Sequence, residues 1–143
     1  MRDKEIIKEI NEVKYTKQER KPDGSYLPDC DGYEIITNLQ KIKLLISNGQ
    51  DCCEYWGYLM SQDDFSDFIG ATLLAINKVD EALNVKAVET AIGEYGCDQG
   101  GCIFINIETN KGTLQFTAYN SHNGYYGHSV FIESNQLNLE DGV

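Results

Sequence analysis

At 143 residues, with 41% hydrophobic and 10% aromatic side chains, the chain has the size and composition of one folded domain, not of a disordered segment. The net charge of −11 is lopsided: residues 1–43 carry nine basic and nine acidic side chains, residues 44–143 three basic (Lys78, Lys86, Lys111) and fourteen acidic. A body this acidic repels phosphates, which excludes direct DNA or RNA binding, and no run approaches the roughly 18 to 20 apolar residues of a membrane span.

The charged start Met1-Arg2-Asp3-Lys4-Glu5 is followed by no apolar secretory core, so the expected compartment is the cytoplasm. Five cysteines (Cys30, Cys52, Cys53, Cys97, Cys102) in such a chain are expected to be reduced thiols. Residues 1–15 read as an amphipathic N-terminal helix, with Ile6, Ile7, Ile10 and Val13 at helical spacing and Asp3 as a cap. A polar connector follows over 16–31, with turn signals at Pro22-Asp23-Gly24 and Pro28. Residues 32–133 form the body. Strands are expected at Tyr33–Thr37 and Lys41–Ser47, where Ile42, Leu44 and Ile46 alternate with polar neighbours except at Leu45.

Asn48-Gly49 turns the chain into a strand over Cys52–Leu59. A short helix is expected from Ser61, its cap, through Ile69, with Phe65, Phe68 and Ile69 inward and Gly70 ending it. A strand over Ala71–Lys78 comes next. The stretch 79–96 fits helix by the spacing of Val85, Val88, Ala91 and Ile92, and strand by its β-branched content. Cys102–Thr109 and Thr113–Asn120 make the clearest hairpin, turning at Asn110-Lys111-Gly112. Ser129–Glu133 is a last strand, and the tail 134–143 is expected to fray. The fold class expected is α+β, a single domain with an antiparallel sheet built from two pseudo-repeated hairpins.

The repeat is read from an offset of 72. Glu34-Ile35-Ile36-Thr37-Asn38 aligns with Asn106-Ile107-Glu108-Thr109-Asn110, and Tyr55-Trp56-Gly57-Tyr58 matches Tyr125-Tyr126-Gly127-His128. Both aromatic stretches are expected at one end of the sheet, walling a cleft. Three segments, Cys52-Cys53-Glu54-Tyr55-Trp56-Gly57-Tyr58, Phe68-Ile69-Gly70-Ala71 and the run from Tyr119 to His128, carry a resemblance over roughly residues 32–133. By them the chain resembles a family of small uncharacterised domains of bacteria and their phages. The resemblance implies a phage or prophage context and no transferable activity.

Three chemistries compete for the loops. Cys97 and Cys102, separated by the four residues Asp98-Gln99-Gly100-Gly101, can be combined with His122, His128 and Cys52 or Cys53 into a zinc set, but no repeated C-x-x-C supports it. A cysteine with His122 or His128 and Glu54 supplies the residue types of a nucleophilic site, without a motif around any cysteine. Neither metal nor catalytic residues are assigned. The ligand-binding candidates are Tyr55, Trp56, Tyr58, Tyr119, Asn120, His122, Asn123, Tyr125, Tyr126 and His128, flat rings with directed polar groups that suit a planar ligand. Such rings also pack simply along hairpin edges. The expected function is a non-enzymatic, phage-type inhibitor of host defence, acting through its acidic surface on a host protein with a basic surface that handles nucleic acid. The alternative is a binder sequestering a nucleotide-like signal. No cofactor is expected, and a homo-oligomer through the N-terminal helix is open.

Overall fold

The structure is a computed structural model that describes residues 4–15, 29–48, 55–92, 101–122 and 128–143. Its elements are β1 (Ile7–Tyr15), β2 (Cys30–Thr37), β3 (Lys41–Ser47), β4 (Tyr55–Met60), β5 (Leu73–Val79), α1 (Val85–Ile92), β6 (Gly101–Thr109), β7 (Gly112–His122), β8 (Ser129–Glu133) and β9 (Leu139–Gly142). A single 3-10 turn, Ser66–Phe68, lies between β4 and β5.

The strands form two antiparallel sheets, β1-β2-β3-β8-β9 and β4-β7-β6-β5. Ile35, Ile42, Leu44, Ile46, Val130 and Ile132 of the first share one core with Ile103, Ile105, Ile107, Leu114 and Phe116 of the second. Burying each of these side chains contributes about 1.5–3 kcal/mol, so this shared face dominates the stability. The two sheets pack face to face through this core. The first-sheet segment at β1 bridges to the second sheet at Ile6–Thr72, beside β5, and reaches β4 through a Tyr58–Glu12 hydrogen bond. β9 meets β5 through Lys78–Asp141 (3.2 Å), and Val143 beyond it meets β7 at Asn120.

The expected α+β class is therefore corrected to an essentially all-β architecture, with one α-helix among the described residues. The N-terminal helix is absent, and β1 stands in its place. Its apolar spacing of three looked helical, but a bulge between Ile7 and Glu9 redistributes the residues. Ile7 and Ile10 enter the shared core, whereas Val13 and Tyr15 cover Cys30, Leu45 and Phe131 on the outer face of the first sheet. Both faces of that sheet are apolar there, which also explains Leu45, the break in the β3 alternation. Cross-strand pairing with β2 along its length outweighs weak helix propensity in a β-branched segment.

The helix expected from Ser61 to Ile69 is also corrected, to the 3-10 turn Ser66–Phe68, and Ile69, expected inward, is exposed. Ser61 is no cap: its N–H donates to the Gln115 carbonyl (2.8 Å), prolonging the β4–β7 ladder. The tail expected to fray instead contributes β9, paired to β8, and Val143 is buried. Residues 16–28 of the expected connector lie outside the described residues, and Cys30 and Asp31 belong to β2.

The one expected sheet is two, with one of the matched hairpins seated in each. Their turns share chemistry. Thr37 Oγ1 accepts the N–H of Leu39 and Gln40, and Thr109 Oγ1 accepts that of Lys111. Asn38 Oδ1 accepts the Ile6 N–H (2.7 Å) and Asn110 Oδ1 the Thr72 N–H (2.9 Å). Ile6 and Thr72 are themselves the bridge between the sheets, so the two asparagines clamp that corner from either side. Gly112 (φ +124°) closes the second turn in a conformation that side chains with a Cβ rarely adopt.

Candidate functional site

β4 is the edge strand of its sheet, and along it runs a cleft of ≈ 850 Å³. Two walls bound the cleft. One is α1, presenting Asn84, Lys86, Ala87, Thr90 and Ala91; the other is Glu12 of β1 with Tyr33 of β2 and Asp63.

The helix wall is held by polar tethers. Asn84 caps α1, its Oδ1 accepting the Ala87 N–H (3.1 Å), while its Nδ2 donates to the Ser61 carbonyl (2.9 Å) at the end of β4. Gln115, buried on β7, accepts from the Leu83 N–H (2.8 Å) and donates to the Glu81 carbonyl (2.9 Å). Val88 and Ile92 then seat the helix on Tyr119, beside Leu59 and Phe104. The helical reading of 79–96 thus holds for 85–92, driven by an apolar face that covers the second sheet.

The opposite wall rests on an aromatic cluster. Tyr33 meets Tyr58, Phe65 and Phe116 edge-on, with ring centroids 5.7, 5.8 and 6.3 Å away. Burial, reinforced by the nearby charges of Glu12 and Asp63, raises the Tyr33 pKa above the ordinary phenol value. The Tyr58 hydroxyl donates to Glu12; burial first, then that hydrogen bond, push its pKa well up. Both phenols stay protonated across the physiological range, and Tyr58 acts as a neutral donor to Glu12.

Of the ten candidate ligand residues, Trp56, Tyr58 and Tyr119 line this cleft. They do not face one way. Trp56 and Tyr58 pack with the shared core, whereas Tyr119 lies on the other face of the sheet under α1. Gly57 makes room for it: a Cβ there would stand 2.5 Å from the Tyr119 hydroxyl. That glycine admits the protein's own ring to the strand. Asn120 is buried beside the Val143 carbonyl (3.4 Å). His128 is buried, stacked on Trp56 at 4.7 Å between centroids and 27° between planes. Its Nδ1 is 2.6 Å from the Ser47 carbonyl and therefore carries the hydrogen it donates.

Tyr55 and His122 are opposite each other in the β4–β7 ladder, with side chains outside the described residues. Asn123, Tyr125 and Tyr126 lie outside them altogether, as do Cys52, Cys53, Glu54 and Cys97. The two aromatic stretches do meet, through the β4–β7 pairing and the Trp56–His128 stack.

The expected reduced state does not extend to Cys102, which is disulfide-bonded; Cys30 is a buried thiol. Among the described residues no three His, Cys, Asp or Glu are placed to hold a metal ion. Sequence reading missed Glu12, Tyr33, Asp63, Asn84 and Lys86 as cleft residues. No local signal marks them, since they come from four separate stretches of the chain and Glu12 sat in the segment read as helix.

The described residues define a domain class of two packed antiparallel sheets with one helix and an open, carboxylate-bearing cleft at a sheet edge. Residues 3–132 match the family described as Domain of unknown function (DUF7448), and the chain belongs to that family. No curated protein and no solved structure matches it. Among the described residues no helix is long and apolar enough to cross a membrane.

Proposed function

We propose that this protein is a non-enzymatic binding protein that acts on a basic, nucleic-acid-handling partner protein, as an inhibitor of host defence inside a bacterial cell infected by phage or carrying a prophage. The observation that carries the reading is charge: fourteen acidic against three basic side chains over residues 44–143, with Glu12 and Asp63 in the cleft facing the single lysine there, Lys86. Opposite charge of this kind steers a basic partner and repels its nucleic acid. The resemblance to small phage and bacterial domains supports the setting.

The nucleotide-like ligand ranks second. One face of Trp56 is taken by His128 and Tyr119 is packed under α1, which leaves fewer flat faces for stacking. The cleft carboxylates repel a phosphate.

Capture from bacterial lysate in salt steps tests the reading. Between about 0.1 and 1 M salt the Debye length falls from about 10 Å to about 3 Å, so an electrostatic partner is released. A captured protein of high isoelectric point, eluting as salt rises, is expected. A partner that is acidic, or held unchanged across the range, overturns it.

A further inference from the structure

The outer edge of β4 lines the cleft from Trp56 to Met60. The Ser61 N–H donates to the Gln115 carbonyl across the β4–β7 ladder. Antiparallel pairing alternates hydrogen-bonded and non-hydrogen-bonded pairs, so Leu59 and Gly57 turn their backbone groups to β7 as Ser61 does. Trp56, Tyr58 and Met60 then point their N–H and C=O groups the other way, along the cleft. Among the described residues no strand pairs with that edge and no backbone hydrogen bond reaches it. An open edge of this length is a template for an added strand, and native proteins usually cover or charge such edges.

We propose that the β4 edge takes up an extended peptide segment of the basic partner by strand addition, with basic and small apolar side chains alternating along the segment. This deepens the reading above and rests on it for the sign of the charges. The backbone supplies the hydrogen bonds, three residues of β4 offering a donor and an acceptor each. The walls supply the selectivity. Side chains on one face of the added strand meet Glu12 and Asp63, which select Arg or Lys. Those on the other face meet Ala87 and Ala91 of α1, with Lys86 beside them, which select small uncharged groups. The two walls lie on opposite faces of the sheet, as the burial of Tyr58 in the shared core and of Tyr119 under α1 establishes. A period of two in the peptide follows directly.

Fluorescence anisotropy with an end-capped, labelled Arg-Val-Arg-Val-Arg-Val-Arg peptide tests this on the full chain. Two further peptides carry N-methyl groups, one at every arginine and one at every valine. Residues opposite Trp56, Tyr58 and Met60 share their face, so methylation at arginine blocks antiparallel docking and methylation at valine blocks parallel docking. One methylated peptide is expected to lose at least about tenfold in affinity while the other stays within about twofold. Glu12→Gln combined with Asp63→Asn is expected to weaken the unmodified peptide several-fold and to flatten its salt dependence. If both methylated peptides bind as well as the parent, contact is through charge alone; edge docking is overturned and the acidic reading stands. If no peptide binds at about 1 mM, edge docking is likewise overturned, and the salt-step capture decides the acidic reading independently.

Discussion

Tyr15 and Tyr58 each donate a phenol hydrogen to a carboxylate, Glu34 and Glu12 respectively, on opposite faces of the first sheet. For both, burial is the largest cause of a raised pKa, followed by the hydrogen bond to the glutamate; Tyr33 is raised chiefly by burial. The sign of the linkage follows. A raised folded-state pKa means the folded protein holds the proton more tightly than the unfolded chain, whose phenols titrate near about pH 10. The stability these groups contribute is complete below that value and is lost as pH rises through the folded-state values. Urea unfolding from pH 8 to 12 should therefore give a falling midpoint above about pH 10. Tyr15→Phe should make that fall shallower, while also lowering stability at pH 7, because Glu34 loses a donor. A midpoint independent of pH up to 12 would count against both bonds.

At the scale of elements, α1 is eight residues long, too short to hold itself in water. Packing of Val88 and Ile92 and the Asn84 cap position it as one wall of the cleft. Asn84→Ala removes the cap and the tether to Ser61 together. It should cost about 1–2 kcal/mol in denaturant unfolding and should raise amide exchange in 85–92 more than in β6 or β7. Equal exchange throughout would mean that the cap does not anchor the helix. Strands β3 and β8 were legible to the residue, because inward Ile42, Leu44 and Ile46, and the run Val130, Phe131 and Ile132, carry a strong apolar signal. β1 was not. Its period of three is produced by a bulge and by two apolar faces, and neither is visible along the chain.

For the molecule as a whole, β1 is structural, not an appendage. Ile7 is buried, Glu5 accepts hydrogen bonds from Thr37, Gln40 and Gln136, and Ile6 bridges the sheets at Thr72. Deleting residues 1–15 removes the edge strand, one cleft wall and the corner between sheets. The truncated chain should lose cooperative unfolding and dispersed amide resonances, whereas a detachable helix would have left the body folded. A truncated protein with an unchanged thermal midpoint would contradict this architecture.

Composition and hydrophobic alternation by themselves determined both hairpins, their turns and the acidic excess, because each is written in neighbouring residues. The partition into two packed sheets, the pairing of the N-terminal strand and the covering of Tyr119 by α1 depended on which distant faces pack together. So did the cleft. Glu12, Tyr33, Asp63 and Asn84 converge on the β4 edge only after the sheets pack on each other, since the burial that brings them there is a sum over the whole core and leaves no local mark.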